Sequence, residues 1–240
     1  MKKRLRAIIG PNGSGKSTLY DALSKKCNFY DFLNADEIKR SLEERSVLDL
    51  PFAIVQSDLI QYINKTTFDD SVKHSFNNGE VSCVDKRVSF SHPAINSYSV
   101  AAFVDYLRYA YLAHGVNFSV ETVFSHPSKL DFLKSAKKAG YQVYLYFVAT
   151  NNSRLNVARV AQRVKLGGHD VPEEKIISRY SRCLDNFYNA LEYAYRAYFW
   201  DNSSQEMRFF AELDPKRNLK IFEASPQWFN IYILNKILAE

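Results

Sequence analysis

Short apolar runs and helical repeats alternate along the chain. Arg4 to Ile9 is a β-favouring run ending at Gly10, and a helical pattern follows from Lys16 to about Lys25. Asn28 to Leu33 is the next strand candidate, after which Asp36 opens a charged helix. A mainly helical stretch covers about Pro51 to Phe76, Asn77-Asn78-Gly79 is a turn, and Val81 to Phe90 alternates as a short strand or hairpin. From Asn96 to His114 the residues Val100, Phe103, Val104, Leu107 and Tyr111 share one helical face, and Gly115 stands where a helix stops.

Asn117 to Val120 reads as a buried strand running into Glu121, and Pro127 to Ala139 as a helix closed by Gly140. Val143 to Val148 is nearly continuous β-branched and aromatic sequence, the mark of a central parallel strand. Helices are predicted from Ser153 to Leu166, stopped by Gly167-Gly168, and from Pro172 to about Tyr195. Ala197 to Trp200 is a last core strand, followed by a hairpin (Met207–Leu213 with Leu219–Ala224) and a final helix after Pro226. This alternation predicts an α/β fold: a P-loop NTPase- or kinase-like parallel sheet flanked by helices, with a helical insertion and a C-terminal hairpin plus helix. The 240 residues suit a single domain (1–240) with an insertion or cap at about 65–114 and an extension at about 205–240.

Composition narrows the class. Lys2, Lys3, Arg4 and Arg6 resemble the start of a signal peptide, but the apolar stretch after them stops at Gly10. No apolar run approaches the roughly 20 residues of a membrane span, so a cytoplasmic location without membrane contact is expected. Cys27, Cys83 and Cys183 are too few and too far apart for a disulfide framework or zinc site. The net charge of +6 suits a polyanionic ligand such as a nucleotide. The charges are scattered and no nucleic-acid-binding signature stands out, so nucleic acid is the lesser reading.

The strongest chemical signal is Gly10-Pro11-Asn12-Gly13-Ser14-Gly15-Lys16-Ser17, a full match to G-x-x-x-x-G-K-[ST] between a predicted strand and helix. Glycines let successive N–H groups turn toward phosphate oxygens, and the helix start adds its positive dipole end. Asn12, Gly13, Ser14 and Gly15 form this cradle; Lys16 reaches the β- and γ-phosphates of ATP, Ser17 coordinates Mg²⁺, and Thr18 meets the α-phosphate.

The acceptor side is less defined. Asp36, past the second strand, is either a general base for an attacking hydroxyl or a helix N-cap. Glu121 stands where a carboxylate approaches Mg²⁺ or its water, and Thr122 beside it is a substrate contact; the plainer alternative is a polar strand end. Arg159 and Arg163, four apart on one helix, form either a clamp on the transferring phosphoryl group or a solvated basic face. Gly167 to Pro172 reads as a lid hinge, with His169 a loop hydrogen-bonder. Asn202 is either an adenine contact or part of a plain turn.

Together these stretches resemble the zeta toxin family, in its standalone P-loop kinase branch. The segments are Gly-Pro-Asn-Gly-Ser-Gly-Lys-Ser-Thr at 10–18, Asn-Ala-Asp-Glu-Ile at 34–38 and Glu-Thr-Val-Phe-Ser-His at 121–126. Ala-Gly-Tyr at 139–141, Arg-Val-Ala-Gln-Arg-Val at 159–164, Gly-Gly-His-Asp-Val-Pro at 167–172, Arg-Tyr at 179–180 and Asp-Asn-Ser at 201–203 follow in order. The resemblance implies a kinase that uses ATP and Mg²⁺, with Lys16 and Ser17 as the binding residues. It implies Asp36 as acceptor base, Glu121 and Thr122 facing the acceptor, and Arg159 and Arg163 on the phosphoryl group. Zeta toxins phosphorylate a hydroxyl of the amino-sugar in UDP-N-acetylglucosamine; related members act on a ribose hydroxyl of a dinucleotide such as NAD. An antitoxin protein is the partner that such a family brings. Two other classes compete: an ATPase or switch working with a macromolecular partner, and a non-catalytic nucleotide-binding module.

Overall fold

The computed structural model describes residues 2–168 and 170–239. The chain forms two compact units, one from the residues up to Phe32 and from Asn117 on, the other Leu33–Val116. The expected insertion at about 65–114 is therefore part of a larger unit that begins at Leu33 and takes Asp36 with it.

In chain order the elements are β1 (Arg4–Ile9), α1 (Lys16–Ser24), β2 (Asp31–Leu33), α2 (Ala35–Arg45), β3 (Val47–Asp49), α3 (Gln56–Lys65) and α4 (Asp70–Asn77). The hairpin β4 (Val81–Val84) and β5 (Arg87–Phe90) leads to α5 (Ser97–His114), then β6 (Phe118–Thr122), α6 (Ser128–Lys138), β7 (Gln142–Ala149), α7 (Ser153–Lys165) and α8 (Glu173–Leu191). The chain continues through β8 (Arg196–Asp201), β9 (Arg208–Leu213), β10 (Leu219–Ile221), α9 (Gln227–Phe229), a π-helical turn at Asn230–Leu234 and α10 (Asn235–Leu238).

The first unit is built on a seven-stranded sheet in the order β10-β9-β8-β7-β1-β6-β2. β7 is its middle strand and runs parallel to both neighbours. Val143, Leu145, Phe147, Val148 and Ala149 are fully buried there, so both faces of β7 are covered, as its unbroken apolar run predicts. Ile9 is level with Thr122 on β6 and Phe147 on β7, and Phe147 is level with Phe199 on β8. The carboxyl ends of these parallel strands thus share one edge, where ligands bind in open α/β sheets. The C-terminal hairpin extends the sheet antiparallel, and Phe199, Phe210, Trp228 and Phe229 pack edge-on or tilted against one another beneath it. Among the described residues no helix is long and apolar enough to cross a membrane.

The second unit packs α2, α3, α4 and α5 with a three-stranded antiparallel sheet, β3-β5-β4. Leu42, Leu59, Ile63, Phe76, Val88, Phe103 and Leu107 are its buried centre. Asn96 caps α5 by accepting from the N–H groups of Tyr98 and Ser99, and Gly115 ends it at φ 68°, as its position predicts. The mainly helical stretch from Pro51 to Phe76 consists of α3 and α4, and β3 is a strand that the pattern did not announce.

Candidate active site

The glycine-rich loop runs directly from β1 into α1. Gly15 precedes α1 in the left-handed region (φ 98°), and no side chain caps the helix start. The first N–H groups of α1 and the dipole behind them are therefore available to an anion. Ser14 is fully buried; its Oγ, like Asn12 Oδ1, has no hydrogen-bond partner. Unsatisfied polar atoms inside a cradle that ends at an uncapped helix fit a polyphosphate. Ser17 and Thr18 are exposed at the mouth.

Lys16 is buried. Its Nζ donates to Pro11 O at 3.1 Å and stands 3.7 Å from Glu121 Oε1. Glu121 and Thr122 lie within β6 rather than after it, paired in register with Ile8 and Ile9. The Thr122 hydroxyl accepts from Phe124 N–H at 3.2 Å, and Gly10 N–H donates to Thr122 O at 3.3 Å. Phe124 is buried at φ 61°, a strained conformation for a bulky residue, with its carbonyl held by Asn186 Nδ2 at 2.9 Å. This strained residue stands three positions beyond the carboxylate that meets the P-loop lysine.

The loop after β8 braces the cradle. Asn202 Nδ2 donates to Ser14 O at 2.9 Å, and Asn202 N–H donates to Ala149 O at 2.8 Å. Arg159 donates from Nη1 to Asn202 O at 2.8 Å and from Nη2 to Ser204 O at 3.2 Å. Asn202, read from the sequence as an adenine contact or part of a plain turn, and Arg159, read as a phosphoryl clamp or part of a basic face, both bond to backbone around the phosphate loop. Arg163 is exposed one turn further along α7. Local sequence carried no sign of the Ser14–Asn202 bond, whose partners are 188 residues apart.

The loop's glycines meet their surroundings closely. At Gly13, φ is 75° and a Cβ would stand 2.5 Å from Asn156 O; at Gly15 it would stand 2.4 Å from Asn202 Nδ2. Gly13→Ala is expected to weaken ATP binding by at least about tenfold, with a stability loss of about 1–3 kcal/mol from the strained φ and the backbone clash. Isothermal titration with ATP and a thermal melt would check both.

Asp36 belongs to the other unit. It does not cap α2: Asn34 Oδ1 does, accepting from the N–H groups of Asp36 (2.9 Å) and Glu37 (3.4 Å). Asp36 is in the first helical turn with its side chain exposed. That removes the capping alternative for its carboxylate. His169 lies outside the described residues. All three cysteines are unpaired thiols; burial pushes Cys183 up, opposed by the Lys16 ammonium, so it is inert despite its nearness to the cradle.

A P-loop at the carboxyl edge of a mainly parallel, helix-flanked sheet defines a P-loop kinase-like fold. Comparison with known proteins narrows this. The Zeta toxin family model matches residues 94–204. That stretch holds the segments at 121–126, 139–141, 159–164, 167–172, 179–180 and 201–203, so the likeness read from the motifs is borne out there. Among solved structures, the AvrRxo1-ORF1:-ORF2 complex with ATP is similar with TM-score 0.56 and 15% identity, over 97% of this chain and 63% of that one. A structure of the PezAT chromosomal toxin-antitoxin system of Streptococcus pneumoniae is similar with TM-score 0.50 and 15% identity, over 97% of this chain and 77% of that one. A protein of Haemophilus influenzae described as uncharacterized is 35% identical over 65 residues, 27% of this chain and 46% of its own length. The chain thus matches less than half of that relative and under two thirds of the AvrRxo1-ORF1:-ORF2 chain. The fold is similar to that of the AvrRxo1-ORF1:-ORF2 and PezAT chains, and residues 94–204 carry the likeness to the Zeta toxin family.

Proposed function

We propose that this protein is an ATP-dependent kinase that phosphorylates a hydroxyl of a nucleotide-sugar such as UDP-N-acetylglucosamine. The ribose hydroxyl of an NAD-like dinucleotide is the alternative acceptor. The observation that carries this reading is the buried Lys16 ammonium, held at the P-loop carbonyl of Pro11 and beside Glu121.

The main-chain N–H groups of Gly13 to Ser17 would bind the β-phosphate, and Lys16 would leave Pro11 O to bridge the β- and γ-phosphates. Ser17 and Glu121 would hold Mg²⁺, the latter directly or through water; the ion neutralises charge on the phosphate oxygens when bound. Thr122 would contact the acceptor. Asp36, three residues past β2 in the chain, would take the proton as the acceptor oxygen bonds to the γ-phosphorus and ADP leaves. Arg163 would stabilise the phosphoryl group in transit, and Arg159 would hold the Asn202 loop. An antitoxin partner is supported by the similar PezAT toxin-antitoxin system, and a cytoplasmic setting suits an ATP-dependent enzyme.

The test is incubation with γ-labelled ATP and Mg²⁺ against a panel of nucleotide-sugars, dinucleotides and nucleosides. Label is expected in UDP-N-acetylglucosamine or, failing that, in a dinucleotide. Tight ATP binding with transfer to no acceptor would overturn the reading, and brisk hydrolysis without acceptor would favour an ATPase.

A further inference from the structure

The C-terminal segment reaches the phosphate loop through a closed ring of polar contacts. Trp228 is 1% exposed, yet both of its N–H groups are committed. Its indole Nε1–H donates to Asp201 Oδ1 at 3.1 Å, and its main-chain N–H donates to Asn151 Oδ1 at 3.3 Å. Asn151 N–H donates to Ser203 Oγ at 2.9 Å, and the Ser203 hydroxyl donates to Asp201 Oδ1 at 2.6 Å. Four residues close the circuit. Arg208 Nε balances the buried carboxylate, 3.4 Å from Asp201 Oδ2.

The ring ties together the turns that follow β7 and β8. The first opens α7, whose Asn156 carbonyl lies against Gly13 and whose Arg159 grips the second turn. The second carries Asn202, flanked in sequence by two ring members, and Asn202 holds Ser14 O. Asp201 and Trp228 are buried, Ser203 is half-buried and Asn151 exposed, so the ring anchors two surface turns to a buried carboxylate and indole, and such a paired network fixes geometry more than it adds stability. A hydrophobic side chain alone would have filled the space beneath Phe199 and Phe210; the indole N–H adds a direction.

We infer that Trp228 is a positioning residue for nucleotide binding, holding the Asn151 and Asn202 turns so that the cradle at Gly13 to Lys16 is formed before ATP arrives. The inference rests on the kinase reading only in taking that cradle as the ATP site. It makes the C-terminal segment part of the nucleotide site, through the turns that carry Asn151 and Asn202.

The experiment compares ATP affinity, KM for ATP, kcat and thermal stability for the wild type, Trp228→Phe, Ser203→Ala and Ile233→Ala. Ile233 is fully buried in the same segment but stands outside the ring. Trp228→Phe and Ser203→Ala are each expected to weaken ATP binding and raise KM about three- to tenfold, as for loss of one or two hydrogen bonds, at nearly constant kcat. Ile233→Ala is expected to lower the melting temperature and leave ATP affinity within twofold. Should Trp228→Phe not fold, Ser203→Ala decides alone. Unchanged ATP affinity in the ring variants, or an equal loss in Ile233→Ala, would overturn the inference and leave the kinase reading standing. Failure of the wild type to bind ATP would overturn both.

Discussion

Asp36→Asn is expected to cut phosphoryl transfer by about 10²- to 10⁴-fold while ATP affinity changes less than twofold. The amide keeps the shape of the carboxylate and removes only its capacity to accept a proton. The fold gives this variant little else to disturb. Asn34, not Asp36, satisfies the first N–H groups of α2, and the Asp36 side chain is exposed. The stability cost is therefore limited to a weakened helix-dipole interaction of about 0.3–1 kcal/mol. Single-turnover transfer with saturating ATP separates the chemical step from binding. If Asp36→Asn transfers at the wild-type rate, another group takes the proton.

Lys16→Ala should lose both binding and transfer. The ammonium is the positive side chain of the cradle, buried and held between a carbonyl and a carboxylate. Loss of one preorganised charged donor from a water-poor site costs about 10²- to 10³-fold in rate. The same deletion also removes the Lys16–Glu121 ion pair. Lys16→Arg is not expected to rescue: a planar, larger guanidinium cannot occupy the space that a compact ammonium fills between Pro11 O and Glu121. Equilibrium binding of ATP together with kcat/KM for both variants is the measurement. Retention of wild-type ATP affinity by Lys16→Ala would remove the loop from the nucleotide site.

Much of this architecture was readable in the linear chain, for definite reasons. The central strand β7 is apolar throughout because both its faces are covered, and the glycine-rich loop is legible because steric need fixes glycine at Gly13 and Gly15. Helix ends at Gly115 and Gly167 follow from the same logic. What escaped was non-local. β3 has three residues and exists only because Val47 to Asp49 pair with β5, so no periodicity could announce it. The division into units falls within β2, between Phe32 and Leu33, where composition does not change. For Asn202 and Arg159 the sequence left a ligand contact and a plain turn or basic face both open; the bonds they make to the carbonyls of Ser14, Asn202 and Ser204 were hidden, because backbone carbonyls leave no trace in a sequence. The capping reading of Asp36 failed by two positions, since Asn34 was an equally good cap and sits where the extended chain turns into the helix.

The order of the ring along the chain bears on biosynthesis. Asn151, Asp201 and Ser203 leave the ribosome well before Trp228, which follows every strand of the sheet. A nascent chain that has already folded β1, β6, β7 and β8 has the Asn151–Ser203 and Arg159–Asn202 bonds between those turns but still lacks the indole tie to Asp201. The last increment of ATP affinity therefore arrives late in synthesis, and a truncated translation product carrying the whole glycine-rich motif would bind nucleotide more weakly than a chain that includes Trp228.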